Sequence, residues 1–383
     1  MEFSIGIAGK PNAGKSTLFS SLTETVVAIG DYPFTTVETN KGVAYMKEKC
    51  PHTEIGKECS PRRGRCINGT RYIPVEVMDV PGLIEGASQG KGMGNQFMDS
   101  LREASAIINL ISPVSGDKKI MSTEEITREA EEVEREIFLW FSARFGNDWE
   151  RFSKKVSHLS IPNEEKILQK ASFFGISLKD VRRILSITKM NDNVSIWGDD
   201  EIMEFTRSVL TIIRPIKRVV NKGDLLDNTE EIRKKGFHVI SADYELSLFR
   251  AFRSGIIRDM DSIEASEKAS PKQREALEKI RTAYYSGRIE RVSDLMESIV
   301  KKDLQKIVVY PVYDENKWTD KEGNVLPDAF LMDQGDTAED LAFRVHTDIG
   351  NGFIRAVNGR TKMILGRSYI LKDNDVIRIV AKS

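Results

Sequence analysis

The sequence predicts an α/β fold: a mostly parallel sheet, interrupted by an inserted helical domain and followed by a small β-grasp-like module. Three observations carry that reading. The apolar run FSIGIA enters a Gly-rich loop and then an amphipathic stretch, STLFSSLTE. Two later apolar runs, VEVMDV and IKRVV, also break into polar loops at their C-terminal ends. From Lys306 onward, short strands replace helical spacing. Apolar strands alternating with helical segments make parallel βαβ units, and loops at the strands' C-terminal ends are where such sheets bind ligands.

The first loop, GKPNAGKS (residues 9–16), fits G-x-x-x-x-G-K-[ST] in its required setting of strand, loop and helix, with Leu18, Phe19 and Leu22 on one side of that helix. Backbone amides at such a helix N-terminus close around phosphate oxygens. Gly9, Asn12, Ala13, Gly14 and Thr17 are expected to line the nucleotide, Lys15 to reach the β- and γ-phosphates, and Ser16 to ligate Mg2+. In VEVMDVPGLIEGA, Val75, Val77 and Val80 mark a strand ending at Asp79, an acidic position that holds Mg2+ in phosphate-loop proteins, usually through water. Pro81 and Gly82 then turn the chain, placing the Gly82 N–H to sense the γ-phosphate. Between these motifs, DYPFTTVETN offers Thr36, in preference to Thr35, to close over Mg2+; a Thr-rich surface strand is the alternative.

The third loop, NKGD, bears on the base. A carboxylate at Asp224 accepts two hydrogen bonds, matching the N1–H and 2-amino group of guanine. Adenine has no such donor pair and would leave a buried Asp unpaired. Asn221 is expected to reach N7 and hold the loop, and the Lys222 stem to lie over the base. FHVISAD then reads as a strand ending at Ser241 and Ala242, where a backbone N–H can meet guanine O6.

GKPNAGKS, DYPFTT, DVPGLIEGA, QGKGMGNQF, NKGD and SAD together resemble the Obg–YchF group of translation-factor GTPases. The segment from Lys306 resembles a TGS domain, which points to the YchF-type branch, the Obg-like ATPases. The likeness covers residues 1–115, 210–260 and 306–383, and is greatest to the archaeal form, in which a Cys-bearing loop precedes the DxPG strand. It implies a catalytic set of Lys15, Thr36, Gly82 and Asn12. It also implies that an apolar residue, here Leu83, replaces the water-positioning Gln, so intrinsic hydrolysis is expected to be slow. Asn12 matches the position that binds potassium in related GTPases; an Asn that merely caps the loop is the alternative. Two positions depart from the pattern. NxxE, which goes with ATP preference, is NKGD here, and the usual FTTxxPN has Thr39 in place of Pro.

The expected organisation is residues 1–115 and 210–263 as two parts of the G domain, 116–209 as the inserted helical or coiled-coil domain, 264–305 as a helical segment and 306–383 as the TGS domain. Within the insertion, Ile126, Ala130, Val133, Ile137 and Trp140 or Phe141 recur at seam spacing. Residues 122–150 carry net charge −6 and residues 151–190 net +6. Either two helical segments pair by charge, or Lys154, Lys155, Arg182 and Arg183 form a basic face for RNA. In CPHTEIGKECSPRRGRC, Cys50, His52, Cys59 and Cys66 are four candidate zinc ligands, although C-x-H is a tight spacing; thiols bracing a loop are the alternative. His346 reads as a packing or surface histidine.

Composition narrows the setting. A net charge of −1 over 383 residues supplies no field to draw the chain onto nucleic acid or membrane. The start lacks signal-peptide character. The expectation is a cytoplasmic, monomeric GTPase using Mg2+, with K+ as the further cation that the resemblance implies, GTP and GDP as ligands and a ribosome or RNA as partner. The rivals are an Obg-like ATPase and a nucleotide-gated RNA-binding adaptor.

Overall fold

The structure, a computed structural model, describes residues 3–27, 41–80 and 101–382. Thr35, Thr36, Gly82, Leu83 and the QGKGMGNQF motif lie outside the described residues. Packing divides the chain into two compact units, one containing 3–25, 41–42, 76–80 and 101–295, the other 26–27, 43–75 and 296–382.

The first sheet is built on β1 (Ser4–Ala8), β4 (Thr70–Asp79), β5 (Ala106–Ile111), β6 (Ile216–Val220) and β7 (His238–Val239), parallel to one another in the order β4-β1-β5-β6-β7. At the β4 edge come β2 (Lys41–Lys49) and β3 (Arg65–Ile67), the latter antiparallel to β4. Every residue of β1 and β5 is buried, as expected of central parallel strands covered on both faces. Because β4 and β5 pair on opposite sides of β1, the loop after β1 opens at a topological switch point.

The inserted segment forms α2 (Thr123–Gly146), α3 (Trp149–Ser157), α4 (Asn163–Ala171), α5 (Leu178–Thr188) and α6 (Asp199–Ser208), following α1 (Lys15–Val27). α2 starts at a capping box, with Ser122 accepting from Glu125 N and Glu125 reaching back to Ser122 N. Its seam residues are all buried, but they face the sheet as well as the other helices. Val133, Ile137, Trp140, Phe141 and Phe145 join Phe174, Val181, Ile184 and Phe205 in one core with Ala8, Met78, Val80 and Ile107 of the sheet side. Arg214, 5% exposed, ties the layers by donating to the carbonyls of Arg102, Ala104 and Phe174. The acidic face of α2 turns partly to the nucleotide side: Glu132 and Glu129 meet Lys10 at 2.7 and 3.8 Å, and Glu134 holds Arg218 through two 2.7 Å bonds.

Helix α7 (Ala242–Arg253) follows β7, and α8 (Pro271–Tyr285) and α9 (Val292–Glu297) follow that. Arg291 and Glu245 form a buried ion pair at 2.7 Å, with Tyr284 Oη donating to the same carboxylate at 3.1 Å. In the second unit, β8 (Lys306–Val312), β9 (Phe330–Asp333), β10 (Phe353–Asn358), β11 (Ile364–Leu365) and β12 (Asp375–Ala381) form a mixed sheet in the order β11-β10-β12-β8-β9. β12 and β8 are parallel, and helix α10 (Ala338–Val345) supplies Leu341 and Ala342 to the core on that sheet. His346 is exposed, and its Nδ1 accepts the Asp348 N–H of the next turn.

Candidate nucleotide site

The register of β1 against β4 sets Ile7 opposite Asp79, so the phosphate loop and that carboxylate leave the sheet at the same edge. The Ser16 hydroxyl, at the start of α1, donates to Asp79 Oδ2 at 3.1 Å. Two hard oxygen donors so close together fit the ligand set Mg2+ prefers. Burial raises the Asp79 carboxyl above the usual range, with Ser16 and Lys15 working against it. Lys15 curls over the loop, its Nζ donating to the Gly9 and Lys10 carbonyls at 3.1 Å each. Burial lowers its pKa, and Asp79 opposes the shift.

The NKGD loop is locked onto the phosphate loop. Asn221, 2% exposed, donates from Nδ2 to the Ala13 carbonyl and accepts the Ala242 N–H at Oδ1, both at 3.0 Å. One carboxamide thus ties together the loops after β1, β6 and β7. Gly14 is where this contact demands glycine: its φ is +91°, and a Cβ there would meet Asn221 Nδ2 at 2.3 Å. Lys222 Nζ donates to the Asn12 carbonyl at 3.0 Å and to Ser112 Oγ at 3.2 Å. Asn12 itself sits at φ +67°, a left-handed conformation that Asn tolerates better than most residues, which gives the residue a backbone reason for its position. Gly223 is needed for a different reason, because a Cβ would lie 2.6 Å from Val239 and 2.8 Å from Ile289. Asp224 is half-buried, and its Oδ1 accepts the Ser241 hydroxyl at 2.6 Å; the same Ser241 oxygen caps α7 by accepting the Tyr244 N–H.

The structure therefore gathers Gly9, Asn12, Ala13, Gly14, Lys15, Ser16, Asp79, Asn221, Lys222, Asp224, Ser241 and Ala242 along one edge, with Thr17 in the first turn of α1. The Ala242 N–H is taken by Asn221 rather than left open for a base oxygen. Sequence reading missed Ser112, whose hydroxyl helps seat Lys222. No spacing rule points to it.

Family models match in the order this geometry suggests: a 50S ribosome-binding GTPase over residues 4–142, the G4 motif-containing domain of an Obg-like GTPase over 219–314, and a TGS domain over 322–381. A GTP-binding protein of Methanocaldococcus jannaschii, described as uncharacterized, is 39% identical, with 98% of each chain covered. The chain belongs to the Obg–YchF family of P-loop GTPases. The crystal structure of a GTP binding protein from Pyrococcus horikoshii superposes with a TM-score of 0.78 at 30% identity, covering 100% of both chains. A ribosome-binding ATPase YchF of Buchnera aphidicola is 23% identical over 93% of this chain and 88% of its own. No described helix of this family member is long and apolar enough to cross a membrane.

The four candidate zinc ligands lie in the second unit. The side-chain ligand atoms of Cys50, His52, Cys59 and Cys66 all fall within 4.8 Å of one another. The Cys50 and Cys59 sulfurs are 3.8 Å apart, and Cys66 Sγ is 3.5 Å from His52 Nδ1. The Cys50 contact draws the Cys59 thiol down to about 5, while burial pushes Cys66 up to about 11.

Proposed function

We propose that this chain is a Mg2+-dependent GTPase that hydrolyses GTP slowly and uses its nucleotide state to govern association with a ribosome or RNA. The observation that carries the base assignment is Asp224, set beside the phosphate loop by the Asn221 and Lys222 contacts, with carboxylate lone pairs left beyond the one Ser241 uses. Guanine fills them with N1–H and the 2-amino group, and the second Nδ2 hydrogen of Asn221 remains for N7. Lys15 exchanges two loop carbonyls for phosphate oxygens, a change favoured by its half-buried position. Mg2+, when bound by Ser16 and Asp79 with Thr36, supplies positive charge to the β- and γ-phosphate oxygens. The loop amides and Lys15 hold the γ-phosphate for in-line attack by water, so the protein's contribution is position and charge. Leu83 offers no group to orient that water, which is the reason to expect slow turnover without a partner. Relatives named ribosome-binding ATPase and the match to a ribosome-binding GTPase model support the partner.

Titration with fluorescent GTP and ATP analogues in Mg2+, beside Asp224→Asn, tests the reading. The wild type is expected to prefer GTP, and the variant to lose that preference by about 10–100-fold, the scale of a hydrogen-bonded charge. Equal or tighter ATP binding by the wild type would assign the chain's activity to ATP.

A further inference from the structure

The cysteine loop has no part in nucleotide chemistry, yet four ligand atoms converge in it. The geometry assigns one zinc ion to Cys50 Sγ, His52 Nδ1, Cys59 Sγ and Cys66 Sγ, with Arg71 balancing its charge, so that the metal holds the 50–66 loop on the 318–328 segment of the C-terminal module. Zinc–sulfur bonds of about 2.3 Å and zinc–nitrogen bonds of about 2.0–2.1 Å, at tetrahedral angles, place two sulfurs about 3.8 Å apart and a sulfur and a nitrogen about 3.5 Å apart. The separations here are 3.8 Å for Cys50–Cys59 and 3.5 Å for Cys66–His52. Thiolates with an imidazole are the donor set zinc takes in closed structural sites.

The tight C-x-H spacing is met by local backbone geometry. A short 3-10 turn, Pro51–Glu54, begins directly after Cys50, while Cys50 N donates to the Gly69 carbonyl at 2.8 Å. The turn brings His52 back toward the cysteines.

Three thiolates and a neutral imidazole around Zn2+ leave one net negative charge. With Cys50 buried and the other three ligands half-buried, that charge gains from a partner. Arg71 is 1% exposed, and its Nη1 points to Cys59 Sγ at 3.8 Å. The same guanidinium donates to the Leu326 and Pro327 carbonyls at 3.0 Å each. A buried arginine beside cysteines is costly unless those sulfurs carry negative charge, which metal binding provides. Around it the loop continues onto the same segment: Ser60 N donates to Val325 O and Arg62 N to Pro327 O, each at 2.9 Å, and Arg62 pairs with Asp320 and Asp328. Beyond the 3-10 turn and the three-residue β3 the loop has little regular structure of its own, and the metal adds a fixed point at its centre.

The test is metal analysis of the full chain purified without chelator from zinc-supplemented culture. One zinc per chain is expected, and replacement by Co2+ should give thiolate-to-cobalt charge transfer with tetrahedral d–d bands. Cys66→Ser should lose the zinc under mild chelation. Should that variant not fold, hydrogen exchange on the wild type answers the same question: chelation should speed exchange at residues 59–62 and 318–328 and leave 3–25 unchanged. Protein that folds with background zinc and three freely reactive thiols, or with a Cys50–Cys59 disulfide, overturns the assignment. So does zinc whose removal leaves exchange at 318–328 unaltered.

Discussion

The phosphate loop and the cysteine loop are both polar, glycine-containing segments beside strands of the same sheet, and they are held in different ways. The phosphate loop is fixed by the chain itself. A fully buried strand precedes it, a helix follows it, and Asn221 and Lys222 bond its carbonyls from the loop after β6. The cysteine loop spans 17 residues from Cys50 to Cys66, with one short turn and almost no ladder, and three thiols and an imidazole meet in its centre. On the two assignments proposed above, one site is organised before its ligand arrives, and the other is clasped by its ligand. That difference is what a catalytic pocket and a structural metal site require of a chain.

The comparison breaks most visibly if the nucleotide edge can be loosened without loss. Its firmest anchor is Glu245, on the helix that Ser241 caps. The carboxylate is 3% exposed and takes Arg291 at 2.7 Å and Tyr284. Glu245 above all, and Tyr284 after it, drive the Arg291 pKa up against burial, and burial raises the Tyr284 hydroxyl well above its ordinary range. Glu245→Ala leaves the buried Arg291 guanidinium with only the exposed Asp261, 3.9 Å away, as a charge partner, and destabilisation of about 3 kcal/mol is expected in denaturant unfolding. A loss below about 1 kcal/mol would mean that water reaches Arg291 and that this end of the site is not rigid.

Asn221→Ala is expected to have a comparable effect on folding and a larger one on binding. It orphans the Ala13 carbonyl and the Ala242 N–H, at about 1–3 kcal/mol for each buried group. Because those groups shape the phosphate loop and the base loop together, affinity for GDP and GTP should fall alongside stability. If stability falls and both affinities hold, the carboxamide braces the fold without organising the site.

How far the sequence could be read follows the same division. The phosphate loop, Asp79 and NKGD were legible because strand, loop and helix fix their spacing, and the sheet then brings them to one edge. Asn221 was assigned to the base and the loop from its motif position. Its bond to Ala13, 208 residues away, depends on strand order, which no local pattern encodes. The acidic run on α2 suggested pairing with the basic stretch that follows it. Glu150 meets Lys154 of that stretch, while Glu129 and Glu132 meet Lys10 and Glu134 meets Arg218, because the helix also packs on the sheet through Val133, Ile137 and Trp140. The cysteines were legible as candidate ligands by type. Arg71 was not, since a single arginine in a strand gives no sign that it will be buried.

The smallest expected effect sharpens the other half of the comparison. Glu54 lies in the 3-10 turn of the cysteine loop and takes Arg360 of the C-terminal sheet through bonds of 2.7 and 2.8 Å. The hydrogen bond from Arg360 holds its carboxyl below the usual range, although the side chain is 47% exposed. A carboxylate whose folded pKa is depressed contributes stability that is fully present above its unfolded pKa, about 4.3 for Glu, and is lost as the pH falls through the lower folded value. Solvent screening keeps the contribution within about 1 kcal/mol. Thermal unfolding of the wild type and Glu54→Gln from neutral pH downward should therefore show a small, constant advantage for the wild type above about pH 5 that shrinks below it. An advantage that persisted undiminished into strong acid would show that Glu54 acts by packing rather than by charge. If the metal is the main clasp of this loop, chelation should cost more stability than Glu54→Gln at every pH where zinc is bound, since an exposed ion pair adds little to a loop that four ligands already hold.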